Sequence, residues 1–179
     1  MDPSSETETG AVVLRALQEG DFSFLGLAPI TYMENLLGPW TVKGITQGKL
    51  PYPTPSRFKM QWGAAADFGR LADRALQSDL PHEVLSLGGP AALDVEELAD
   101  IMGEVLGRSL AYDVMTAPEF ARQLGVLAGA HVAGMYGGVQ ANPDQFQPDP
   151  SHIETRFNLK LTSFADWVSD HRNHFTQQG

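Results

Sequence analysis

The sequence contains no cysteine. Disulfides, thiolate nucleophiles and Cys-ligated zinc or iron–sulfur centres are therefore excluded. Basic residues are scarce: twelve Lys and Arg stand against 22 Asp and Glu, for a formal charge of -10. A nucleic acid or anionic membrane surface needs clustered cations, and these are scattered, so neither is an expected partner. No apolar run approaches the roughly 20 residues of a membrane helix, and MDPSSETETG is acidic where a signal peptide is basic and then apolar. A cytoplasmic location is expected. The motifs of self-contained active sites are also missing: no G-x-G-x-x-G, no phosphate loop with Gly-Lys-Ser/Thr, no G-x-S-x-G elbow and no H-E-x-x-H.

What is present is an ordinary globular balance, 42% apolar and 19% charged over 179 residues, enough for one domain with a sizeable core. Residues 1–5 read as a flexible leader, 6–175 as a single α/β domain and 176–179 as a frayed tail, with loosening expected throughout HRNHFTQQG.

The chain is organised around FSFLGLAPITYMENLLGPW, Phe22 to Trp40. Phe22, Phe24, Leu25 and Leu27 form an apolar strand stopped by Pro29. Thr31 is placed to cap a helix from Tyr32, with Glu34 in its first turn and continuation from Trp40 to Gln47. In open α/β sheets ligands sit just beyond such strand ends. Before this stretch, Glu6–Leu17 reads as a helix with Val12, Val13, Ala16 and Leu17 inward. After it, GKLPYPTPSRF reads as an extended surface connection, because its prolines fit neither a helix nor a central strand.

Lys59–Trp62 is predicted as a short strand and Ala65–Leu76 as a helix with Asp67 in its first turn. Glu83–Leu87 is a second clear strand, closed by Gly88-Gly89-Pro90 as a tight turn. Asp94 and Glu97 have capping-box spacing before the stripe Leu98, Ile101, Met102, Val105 and Leu106, and Gly107 ends that helix. Ser109–Met115 alternates like a strand. Thr116 then caps a helix with Pro118 in its first turn and Phe120, Leu124 and Leu127 inward. Val126–Tyr136 is Gly/Ala-rich and carries His131, and Gln140–Pro150 is a turn-rich loop. Ser151 is assigned as the cap of His152–Phe157, and Thr162 as the cap of a last helix, Ser163–Phe175. His171 and His174 are spaced three apart, short of a metal site without further ligands.

The segment around Pro29 resembles the strand-Pro-x-x-Tyr/Phe-Met-Glu-Asn-Leu stretch in the second half of NmrA-like proteins, atypical short-chain dehydrogenase relatives that bind NAD(P). QGKLPYP, AAADFGRLADRAL, VLSLGGPAALDVEELADIMGEVLG and LTSFADWV extend the resemblance in order and spacing. It implies the carboxy-terminal part of a Rossmann-like fold, with few, mostly parallel strands and surrounding helices, lacking the amino-terminal dinucleotide-binding half. It implies NAD(P) as cofactor beside Pro29 and Ile30, and a small-molecule substrate beside Tyr32 and Asn35. SSETETGAVVLRAL has neither the Tyr nor the Lys of the Tyr-x-x-x-Lys pair of short-chain dehydrogenases at large, of which NmrA-like proteins often retain the lysine, so no catalytic residue is assigned and the chain alone is expected to be inactive. The readings implied are the substrate side of an oxidoreductase, a non-catalytic redox sensor or protein-interaction module, or a truncated relic. An open parallel strand edge is expected, leading to homo-oligomers, docking on a complementing amino-terminal half, or marginal stability.

Overall fold

Local sequence decides most of the elements. The computed structural model describes residues 12–21, 23–78, 82–124 and 149–176. Expectations for Leu127, His131, Val126–Tyr136 and all but the end of the Gln140–Pro150 loop lie outside these.

A helix at 12–19, α1, precedes strand β1, Phe24–Pro29. A 3-10 turn, Met33–Leu37, leads into α2, Pro39–Thr46. Strands β2, Lys49–Tyr52, and β3, Met60–Gln61, are followed by α3, Ala65–Leu76. Then come β4, His82–Leu87, β5, Ala92–Leu93, and α4, Val95–Leu106. Strand β6, Ala111–Val114, and α5, Ala117–Leu124, precede three short helices. These are α6, Ser151–Phe157, α7, Phe164–Asp170, and α8, Arg172–Thr176.

The described strands form three pairs: β1–β4 and β2–β6, both parallel, and β3–β5, antiparallel. The two clear sequence strands lie side by side as expected, in register from Phe24 opposite His82 to Pro29 opposite Leu87. One face of this pair carries Leu85 and Leu87 into a core with Leu71, Ile153, Phe157 and Leu161. A larger core gathers Met33, Leu36, Ile45, Leu50, Tyr52, Trp62, Leu98, Met102, Trp167 and Phe175.

The best-encoded element is α4. The Asp94 carboxylate accepts from the amides of Glu96 (3.1 Å) and Glu97 (2.9 Å), and Glu97 accepts in return from the Asp94 amide (2.9 Å). Gly107 closes the helix at φ 71°. Glu97 also takes a 2.6 Å bond from Lys59. That bond, and next the Asp94 amide, hold its carboxyl below the ordinary value of 4.5. A depressed folded-state pKa gives stability that is present above about pH 4.5 and lost as the pH falls through the folded value. Melting temperatures of the wild type and Glu97→Gln should differ at neutral pH and approach one another as the pH falls below the ordinary carboxyl range and through the depressed folded value.

Several expectations change. The helix expected to run from Tyr32 through Gln47 is two pieces, because Gly38 is extended (ψ 141°) and Pro39 opens α2. No side-chain cap bond from Thr31 starts the first piece; its N-cap is Tyr32. Val12 and Val13 face outward, 66% and 52% exposed. Asp149, rather than Ser151, supplies the acceptor at the start of α6, through the Ser151 amide (2.9 Å). The last helix is capped by Ser163, not Thr162. It breaks at His171, and the tail expected to fray continues as α8, where Phe175 is fully buried.

The largest correction is GKLPYP. This surface connection is strand β2, and Leu50, Pro51, Tyr52, Pro53 and Thr54 are all buried. The Ala111 amide bonds to Gly48 O (2.9 Å) and the Met115 amide to Tyr52 O (3.1 Å). Parallel strands bond through alternate residues, so the nitrogen of Pro51 points away from β6 and has no ladder bond to lose. Its ring lies against α2, where a Cβ on Gly44 would come within 2.5 Å of Pro51 Cδ.

Candidate functional site

Beyond the carboxyl ends of β1 and β4 the chain is stitched down residue by residue. The Ile30 amide donates to Leu87 O (3.0 Å), extending the parallel pair by one bond. Thr31 O then accepts from the Gly63 amide, and the Met33 amide donates to Gly63 O, both at 2.9 Å. Tyr32 thereby forms a parallel bridge to Gly63. The loop 29–35 is held between the end of β4 and the entry to α3.

Within Met33-Glu34-Asn35 each residue takes a different direction. Met33 is 1% exposed and belongs to the core. Glu34 turns toward the start of α3, where both its oxygens accept from the Ala65 amide (3.1 and 3.0 Å) and Oε1 also accepts from Trp167 Nε1 (3.1 Å). The N-cap of α3 is Ala64, which has no side-chain acceptor. Glu34 supplies one from outside the helix, with its charge at the positive end of the dipole. Asn35 faces solvent.

All four residues singled out in the sequence thus lie on this one loop. Pro29 is exposed at the strand end, Ile30 and Tyr32 are half-buried, and Asn35 is exposed. The structure adds Phe68 of α3, half-buried, whose ring is 5.0 Å from that of Tyr32 at 51°. Phe68 was hidden in the sequence by its ordinary place in a helical stripe. The result is a ledge made by the Tyr32–Phe68 ring pair, with half-buried Ile30 and exposed Pro29 and Asn35 on the same loop.

Its chemistry is limited. The ledge loop carries Glu34 as its one acid and no Lys or Arg, and Glu34 is engaged as described. Gly88 and Gly89 follow β4, both buried. Neither has positive φ, so a left-handed turn is not what requires them. A Cβ on Gly88 would collide with the Gln61 side chain, and one on Gly89 with the Trp62 carbonyl. They allow close packing against β3 and the residue that follows it. The loop thus presents an aromatic pair and an exposed amide side chain, with no Lys or Arg of its own.

Two other candidates resolve as structure. Asp67, read as a first-turn cap, is fully buried and holds Thr162 through its amide and hydroxyl, both at 2.8 Å, with Arg70 paired to it. His171 stacks on Trp167 (4.5 Å, 26°), and its Nδ1 lies 2.9 Å from Trp167 O. No group of three metal-ligating side chains occurs among the described residues. Nor, among them, is any helix long and apolar enough to cross a membrane.

The described residues form a mixed α/β arrangement with parallel strand pairs, a fold shared with part of several solved Rossmann-like NAD(P)-binding proteins. Among solved structures, it matches a nucleoside-diphosphate-sugar epimerase from Staphylococcus aureus with a TM-score of 0.70 at 20% identity, covering 87% of this chain and 55% of that one. An NADPH-dependent quinone oxidoreductase from Escherichia coli, complexed with NADPH, matches with a TM-score of 0.69 at 20% identity, covering 89% and 57%. Agroclavine dehydrogenase of Claviceps fusiformis is 27% identical over 157 residues, 84% of this chain and 54% of the relative. The chain spans about half the length of the proteins it matches. No family model matches it.

Proposed function

We propose that this chain is the substrate-side portion of an NAD(P)-linked reductase of the atypical short-chain type, acting in the cytoplasm. The observation that carries the reading is the loop 29–35, pinned beyond the ends of a parallel strand pair with its apolar residues at the surface. Pro29 and Ile30 border the nicotinamide, and Tyr32, Phe68 and Asn35 receive the substrate. When bound, the nicotinamide supplies or accepts a hydride; this chain's part is to orient the ring and exclude water.

The ledge favours a reductase over a sugar-nucleotide epimerase. A diphosphate calls for Arg or Lys, which the loop lacks, whereas Tyr32 and Phe68 suit an uncharged planar ring. The absence of Tyr-x-x-x-Lys in α1 and the segment before it supports a second reading, a non-catalytic redox sensor or interaction module on the same fold. In either case we place a partner, a second copy or an amino-terminal half, along the outer sides of β1 and β4, which pair with no further strand among the described residues.

The test is amide chemical-shift mapping. Reduced nicotinamide mononucleotide at about millimolar concentration, the range of weak half-ligands, should shift Ile30, Tyr32 and Asn35, and ADP-ribose should not. Shifts from ADP-ribose alone, or none from either, would sink the dinucleotide reading. A neutral quinone such as menadione separates the two roles: it should move Tyr32 and Phe68 in a reductase and leave them unchanged in a sensor.

A further inference from the structure

We infer that the groove between α2 and the β6–α5 corner binds an amphipathic anion, an apolar body with a single anionic head. The groove has a volume of ≈ 670 Å³ and continues into an adjoining recess of ≈ 400 Å³, the two sharing Pro51, Asp113, Met115 and Gln123. That is the size range of small-molecule sites. This inference is independent of the dinucleotide reading, since none of the ledge residues lines the groove.

The floor is apolar and rigidly backed. Trp40 meets Phe120 edge to face at 6.0 Å, Phe120 in turn lies 5.9 Å from Tyr52, and Tyr52 is 5.1 Å from Trp62. Pro51 is fixed by its contact with α2, and Met115 by its backbone bond to Tyr52 O. Aromatic and thioether surfaces in this arrangement suit a flat or branched apolar body.

The rim carries the selectivity. In a chain of net charge -10, this groove is lined by three cations, Lys43, Lys49 and Arg122, against two acids, Asp113 and Glu119. Both acids are already engaged: Asp113 accepts from Lys49 at 3.5 Å. Glu119 accepts from the amide (2.8 Å) and hydroxyl (2.6 Å) of Thr116 at the start of α5. These bonds, the hydroxyl's first, hold the Glu119 carboxyl below its ordinary value, so it stays ionised and committed to the helix start. Lys43 has no acid partner among the described residues, and Arg122 bonds the Pro118 carbonyl (3.3 Å) while its charge also helps to hold the Glu119 carboxyl down. The Lys43 ammonium, with the Arg122 guanidinium shared with Glu119 across the groove, defines the head-group site.

The test is calorimetric titration with 2-naphthoate, naphthalene-2-carboxamide and uridine diphosphate, on the wild type and the surface variant Lys43→Gln/Arg122→Gln, whose fold is checked by thermal melting. Saturable naphthoate binding, about tenfold tighter than the carboxamide, as expected for a charge-assisted contact, is the predicted result, and the double variant should erase that preference. Equal binding of acid and amide, no naphthoate binding, or an unchanged preference in the variant would overturn the proposal. Tighter binding of uridine diphosphate than of naphthoate would overturn the apolar-body assignment. Gln123→Trp, which narrows the groove without touching its charges, should weaken naphthoate and carboxamide alike; weakening of neither would place the ligand elsewhere.

Discussion

Asp67→Ala should lower the unfolding free energy by about 3 kcal/mol, the size expected when a buried, charged hydrogen-bond centre is removed and its partners are left unmet. Asp67 is 0% exposed and is the single acceptor for both the amide and the hydroxyl of Thr162. Arg70 spans the same junction, bonding Thr162 Oγ1 (3.1 Å) and Lys160 O (3.2 Å). The carboxylate thus ties α3 to the segment that delivers Leu161 and the start of α7. Asp67→Asn keeps one acceptor and should cost about half as much. Denaturant unfolding measures both, and equal stability of the wild type and Asp67→Ala would show that the tie is dispensable.

Gly89→Ala should be comparably damaging, again by about 3 kcal/mol, at the upper end of what overpacking costs. The added methyl would meet the Trp62 carbonyl, and a backbone carbonyl cannot rotate away as a side-chain tip can. Relief requires β3 to move from the end of β4. Because Gly63 next to Trp62 bridges Tyr32, that movement should also displace the ledge. The expected signature is a lower melting temperature together with weakened nicotinamide-induced shifts at Ile30 and Tyr32. Ala at the open position Gly69, where an added Cβ meets nothing within 4 Å, is the control and should be neutral or slightly stabilising.

How much of this was readable in the chain depended on the distance between cause and effect. The limits of α4 were legible because Asp94, Glu97 and Gly107 act on their own helix. The strand ending at Pro29 was legible from a dense apolar run and one breaker. Glu34 was not, since its partners Ala65 and Trp167 lie 31 and 133 residues away. The role of Asp67 depends on Thr162, 95 residues on. The four ledge residues were found because they are contiguous, whereas Phe68 joins them only through folding. GKLPYP was misread because proline is incompatible with a strand paired on both sides, and one sequence does not reveal that, among the described residues, β2 is paired on one.

Pro51 also limits what can pair with β2. A strand recruits a neighbour through the row of amides along its free side. On β2 that row is interrupted at its centre by a residue with no amide hydrogen, and the same spot is shielded by the turn of α2 around Gly44. A newcomer strand would find a gap where its next bond should form.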